Sequence, residues 1–112
     1  MFFGSVEISL TDTALEIEAS YHSDESIPYS DISAVEYREE ADRGMRVMGF
    51  SSAKLLIGTF KNEEFGTYTR FSYVGCKSDI IITVGENKIA VSCKNEAETR
   101  ALYENLLNKL EK

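Results

Sequence analysis

A chain of 112 residues, 43% hydrophobic and 28% charged, has the length and composition of one ordinary globular domain, and at that size it needs neither metal nor disulfide to fold. Its formal charge of −7 speaks against general nucleic-acid binding and against anionic membrane surfaces, which reward Lys and Arg on phosphates. Two cysteines and one histidine fall short of the four ligands of a structural zinc site, and no apolar run approaches the ~20 residues of a membrane span.

The opening "MFFGSVEISL" lacks a basic n-region and places Glu7 where an export signal is apolar. A cytoplasmic protein with free thiols at Cys76 and Cys93 is therefore expected, with no cofactor or metal. The charge is uneven. Residues 1–37 hold eight carboxylates and no Lys or Arg, whereas Arg38, Arg43, Arg46, Lys54, Lys61 and Arg70 fall in the central third, where they either form an anion or acidic-peptide site or, as the plainer reading, offset Glu39, Glu40, Asp42, Glu63 and Glu64.

"GSVEISL" alternates, with Val6, Ile8 and Leu10 on one face, and after the turn "TDT" the segment "ALEIEASY" does the same with Leu15, Ile17 and Ala19. Period-two alternation marks half-buried antiparallel strands. "HSDES" is a polar loop, and Ile27 before Pro28 is biased towards extended backbone. In "DISAVEYR" the phase slips between Ala34 and Val35, which predicts a bulge or bend. "REEADRG" is a charged turn. "MRVMGF" and "KLLIGTF" are short strands broken by glycine. "GTYTRFSYV" is a longer strand and, being mixed in phase, the expected sheet edge. "DIIITV" and "KIAVSC" form a hairpin around "GEN", with Val84 expected opposite Ile89 and Ile80 opposite Cys93. The last segment begins at Asn95 with Glu98 three residues later, a capping box. Ala101 or Leu102, Leu106 and Leu110 then follow at helical spacing, with Thr99 and Tyr103 beside them.

Candidate chemistry is sparse. Gly44 and Gly49 have the spacing of a phosphate loop and Ser51 fits its last position, but Phe50 stands where the lysine must be. The glycines read better as punctuation between strands. The Ser, His and Asp of "HSDES" are too close in sequence to converge as a triad. The carboxylate pairs Glu39-Glu40 and Glu63-Glu64 lie in turn-like segments, with nothing to push their pKa values apart. No catalytic residue is assigned, and a non-enzymatic protein is expected.

The stretch "IPYSDISAVEYRE", followed by "RGMRVMGF", "IGTFKNEEFGTY" and "IAVSCKNEAE", resembles the bacterial pleckstrin-homology-like (PH-like) domain family over about residues 27–105. The resemblance implies a mainly β (α+β) fold, a barrel of about seven antiparallel strands in two near-orthogonal sheets. One C-terminal helix would cap it. A single domain over 1–112 follows, with strands over about 4–93 and the helix over about 95–111.

It also implies a binding scaffold, most simply one for protein–protein interaction or self-association through a strand edge or the groove beside the helix. A small apolar-ligand carrier, with its pocket between sheets and helix, is the alternative. The expected interaction surface is Thr69, Arg70, Phe71 and Tyr73 on the supposed edge, with Arg43 and Arg46. A charge reversal at Arg70 or a proline at Thr69 should then weaken a partner complex without unfolding the domain. Eukaryotic relatives hold phosphoinositides with basic residues around the first hairpin. Here that hairpin has four acids and no base, so no phosphoinositide binding is expected.

Overall fold

The computed structural model describes residues 5–19, 24–40, 43–51 and 54–111, and the alternating segments at the start of the chain form the strands they predict. Strands β1 (Val6–Leu10) and β2 (Ala14–Ala19) pair antiparallel, with Val6 opposite Ala19, Ile8 opposite Ile17 and Leu10 opposite Leu15. Opposed residues share a face, so the apolar set lies together. The Thr11 hydroxyl closes the turn by accepting the Ala14 N–H at 3.0 Å. Strand β3 (Glu25–Pro28) pairs with β2 and completes a three-stranded sheet. Of the "HSDES" loop, His22 and Ser23 lie outside the described residues.

A single 3-10 turn, Tyr29–Asp31, leads to β4 (Ile32–Arg38), then β5 (Met45–Ser51), β6 (Leu55–Asn62), β7 (Gly66–Tyr73), β8 (Asp79–Val84), β9 (Asn87–Val91) and helix α1 (Glu96–Leu110). The second sheet has the order β4-β8-β9-β7-β6-β5. The fold is mainly β, two sheets and one C-terminal helix, as expected. Its details depart from the expectation in three ways. There are nine strands among the described residues, the sheets do not close into a barrel, and β7 runs parallel to β9.

That parallel pair overturns the expected edge. β7 is flanked by β6 on one side and β9 on the other, because the hairpin's return strand fills the side that sequence left open. The Ser92 N–H donates to Phe71 O at 3.1 Å, and the Ser92 hydroxyl accepts the Tyr73 N–H at 2.9 Å, which extends the junction. The hairpin is also tighter than expected. Val84 faces Asn87, and Ile82 and Ile80 face Ile89 and Val91, so only Gly85 and Glu86 make the turn. Gly85 supplies the positive φ of 63° that such turns need. A slip of two residues leaves every side chain on its expected face.

The phase slip in β4 is a register shift between Ile32 and Ala34. Strands β5 and β6 run through their glycines instead of breaking there. Gly49 lies opposite Gly58, at φ 126° and 128°, and a Cβ on either would collide with the carbonyl oxygen of Ile57 or Met48 across the pair. The residues that would form a phosphate loop are themselves a strand, Met45–Ser51, which removes the phosphate-loop reading.

The core lies between the sheets. Leu15, Ile17 and Ile27 meet Leu55, Ile57, Phe71, Ile80, Ile82 and Val91, and Leu106 of α1 seals the group. A second buried cluster, Phe60, Tyr68, Ile81 and Ala90, sits on the opposite face of the larger sheet with Leu56 and Phe65 against it. The expected cap forms at α1: Asn95 Oδ1 accepts the Glu98 N–H at 2.8 Å, and Asn95 Nδ2 donates to Glu98 Oε2 at 3.0 Å. No helix among the described residues is long and apolar enough to cross a membrane.

Candidate functional site

Strand edges carry unpaired backbone groups, and proteins usually blunt them. Among the described residues the two sheets end in β1, β3, β4 and β5, and three of these are managed. On β1 the Tyr73 hydroxyl takes both backbone groups of Val6, accepting its N–H at 3.0 Å and donating to its carbonyl at 3.1 Å. β3 is four residues long and ends in Pro28. β4 carries the charged pair Glu36 and Arg38, with Arg38 also clasped by Glu64 of the β6–β7 turn. Its Tyr37 ring packs on Tyr103 of α1 at 5.4 Å.

β5 is different. It is seven residues long, and Met45, Val47 and Met48 are 73%, 58% and 72% exposed. Register explains why. Met45 lies opposite Lys61 and Met48 opposite Thr59, so both share the face of the core residues Ile57 and Leu55. Among the described residues, three strands and one helix cover six strands incompletely, and the cover runs out at β5. Val47 is the extra residue of a bulge between Arg46 and Met48. Arg46, opposite Phe60, belongs to the other face and is exposed. Residues 43–62 contain four cations, Arg43, Arg46, Lys54 and Lys61, and no carboxylate.

The six residues expected to form the interaction surface divide sharply. Arg70 is 1% exposed. Its Nη1 lies 3.0 Å from Asp79 Oδ1 and its Nη2 2.8 Å from Oδ2, and only the first contact is aligned as a hydrogen bond. Its guanidinium also sits 5.8 Å from the Phe60 ring centre and 5.5 Å from that of Tyr68, within cation–π reach. Burial works against the Arg70 charge, but Asp79 outweighs it and holds the group above its ordinary range. Burial pushes the Asp79 carboxyl up, with Arg70 pulling it back.

Phe71 is core, Tyr73 is the clamp on β1, and Thr69 is half-buried in the cleft lined by Ile27, Pro28, Val84 and Ile89. Arg43 donates to Val74 O and Cys76 O, both at 2.6 Å, while its own carbonyl accepts the Tyr68 hydroxyl at 2.7 Å. It thereby anchors the segment that enters β5. Only Arg46 lies on the exposed edge. The residues that sequence reading missed are Met45, Val47 and Met48; three apolar residues in a strand-like segment read as core when strand order is unknown.

Cys76 and Cys93 are free thiols. Cys76 Sγ is 3.3 Å from Thr99 Oγ1, which also accepts the Cys93 N–H at 3.0 Å. Burial, and then the charges of Glu98 and Cys76, push the Cys93 thiol up to about 11.

A family model described as a bacterial PH domain matches residues 6–107. No curated protein and no solved structure compared with the chain matches it.

Proposed function

The chain belongs to the bacterial PH domain family, and from that membership we propose that it is a non-enzymatic interaction module that receives a polypeptide strand at the β5 edge. One observation carries the reading: among the described residues, the seven-residue edge strand β5 has three large apolar side chains in solvent. A strand added there gains backbone hydrogen bonds along β5 and buries Met45 and Met48 against its own alternate side chains. Fold membership alone would not choose a surface.

The carrier reading draws less support, because Leu15, Ile17, Leu55, Ile80 and Leu106 fill the space between sheets and helix with no exposure. The cleft between the sheets at Ile27 and Ile89 is about 320 Å³ and open to solvent. A lipid surface is also a weaker occupant of β5, since unpaired strand groups in hydrocarbon cost several kcal/mol each.

A random-peptide display selection against the folded domain tests the proposal. Enriched peptides are expected to shift the amide resonances of β5 and to lose binding to a Val47→Pro variant whose circular dichroism is unchanged. Enriched peptides that map elsewhere, or bind Val47→Pro equally well, overturn it.

A further inference from the structure

The described residues hold four sulfur atoms, and the fold treats the two kinds in opposite ways. The thioethers of Met45 and Met48 stand on one face of β5, and the two residues are 73% and 72% exposed. The thiols are withdrawn. Cys76 is 2% exposed, with its Sγ 3.3 Å from the hydroxyls of both Ser78 and Thr99. Cys93 is half-buried beside the same Thr99, whose hydroxyl accepts its N–H at 3.0 Å. In an unfolded chain a thiol meets a peroxide before a thioether does, because its thiolate is the stronger nucleophile. A thioether needs neither deprotonation nor a base, only access for the oxidant.

We propose that Met45 and Met48 form a paired modification site for hydroperoxides, each taking up one oxygen before either thiol of the folded chain reacts. The sulfur lone pair attacks one peroxide oxygen, the O–O bond breaks and an S–O bond forms. The departing hydroxide takes up the proton of the transferred hydroxyl group and leaves as water. The methionine sulfur is oxidised by two electrons and the peroxide is reduced by two. The product is a sulfoxide, polar and chiral where the side chain was apolar. Two such conversions turn the exposed face of β5 from apolar to polar, and this holds whatever the edge receives. The thiols lag for two reasons. Cys76 is closed off from the oxidant, and Cys93, held at about 11 against an ordinary 9.0, carries about a hundredth of the thiolate of an ordinary cysteine at neutral pH.

Timed oxidation of the folded chain by hydrogen peroxide at pH 7 tests the assignment. Free N-acetylmethionine amide in the same tube serves as the reference, and tandem mass spectrometry after thiol blocking locates each added oxygen. Met45 and Met48 are expected to gain about 16 Da each, within about tenfold of the reference rate, while both thiols remain intact. In urea the order should invert, with the thiols lost first. The thermal midpoint of the doubly oxidised chain should match that of the untreated chain, because both sulfoxides lie in water. Oxidation of Cys76 or Cys93 ahead of the methionines in the folded chain overturns the proposal. So does a methionine that lags the reference by more than about tenfold, or a sulfoxide form that melts lower, since either shows a sulfur packed away from solvent. Met45→Leu with Met48→Leu should take up no oxygen in β5 and leave the thiols as slow as before. Thiols that then react at the methionines' former rate would show that the methionines merely shielded them, which also overturns it.

Discussion

At the residue scale the most consequential side chain is Arg70. A charge in a strand is ordinarily a solvent-facing position, but Arg70 is buried with Asp79 beneath Phe60 and Tyr68. Removing one partner of such a pair leaves an uncompensated buried charge. Asp79→Asn is therefore expected to lower unfolding free energy by about 3–5 kcal/mol, read from urea denaturation, whereas Arg70→Met with Asp79→Leu should recover much of the loss. Equal loss in the single and double variants would show that packing, not charge, is at stake. An Arg70 reversal accordingly tests stability, not partner binding.

Cys93 gives the pH dependence. Its thiol sits at about 11 in the folded chain against an ordinary 9.0. Between those values the unfolded chain has released its proton and the folded chain has not, so stability falls as pH climbs from 9 to 11 and is unaffected by this group below 9. The fall should be shallower in Cys93→Ser, followed by denaturation at a series of pH values. Below pH 9 the same burial should make Cys93 slower to react with a thiol reagent than the unfolded chain.

At the element scale α1 is the clearest case of sequence and structure agreeing. Asn95, Glu98, Leu102, Leu106 and Leu110 define its cap and its apolar face, and Leu106 is fully buried while Leu102, Tyr103 and Leu110 pack around it. Leu106→Ala is expected to cost about 2–5 kcal/mol. A chain ending at Asn95 should be molten or insoluble, with exposed apolar surface and no near-ultraviolet circular dichroism; cooperative unfolding of that truncation would show that the sheets stand alone. The strands were legible to different depths. β1 and β2 alternate cleanly because one face is wet. β8 is buried on both faces from Asp79 to Ile82, so its pattern is a run and not an alternation. β5 and β6 looked interrupted because glycine usually weakens a strand, yet here Gly49 and Gly58 face each other where no Cβ fits.

At the scale of the whole molecule the charge separates along the fold. The acids of residues 1–37 include all those of the three-stranded sheet, Glu7, Glu16, Glu18 and Glu25, while the basic stretch lies at the β5 end of the larger sheet. Composition alone, averaged to −7, hid this. The amino-acid sequence by itself determined the strand faces, the turns, the helix and its cap, because alternation, glycine and capping chemistry act over a few residues. It also carried the family signature. Only the tertiary structure decided which strands are neighbours, that β9 inserts beside β7, that Arg70 is buried, and that Met45, Val47 and Met48 of β5 are exposed. Period-two alternation states which face a side chain takes and is silent on what lies beside the strand. Strand order is settled by contacts between residues far apart in the chain, and which strands become edges is whatever that competition leaves over.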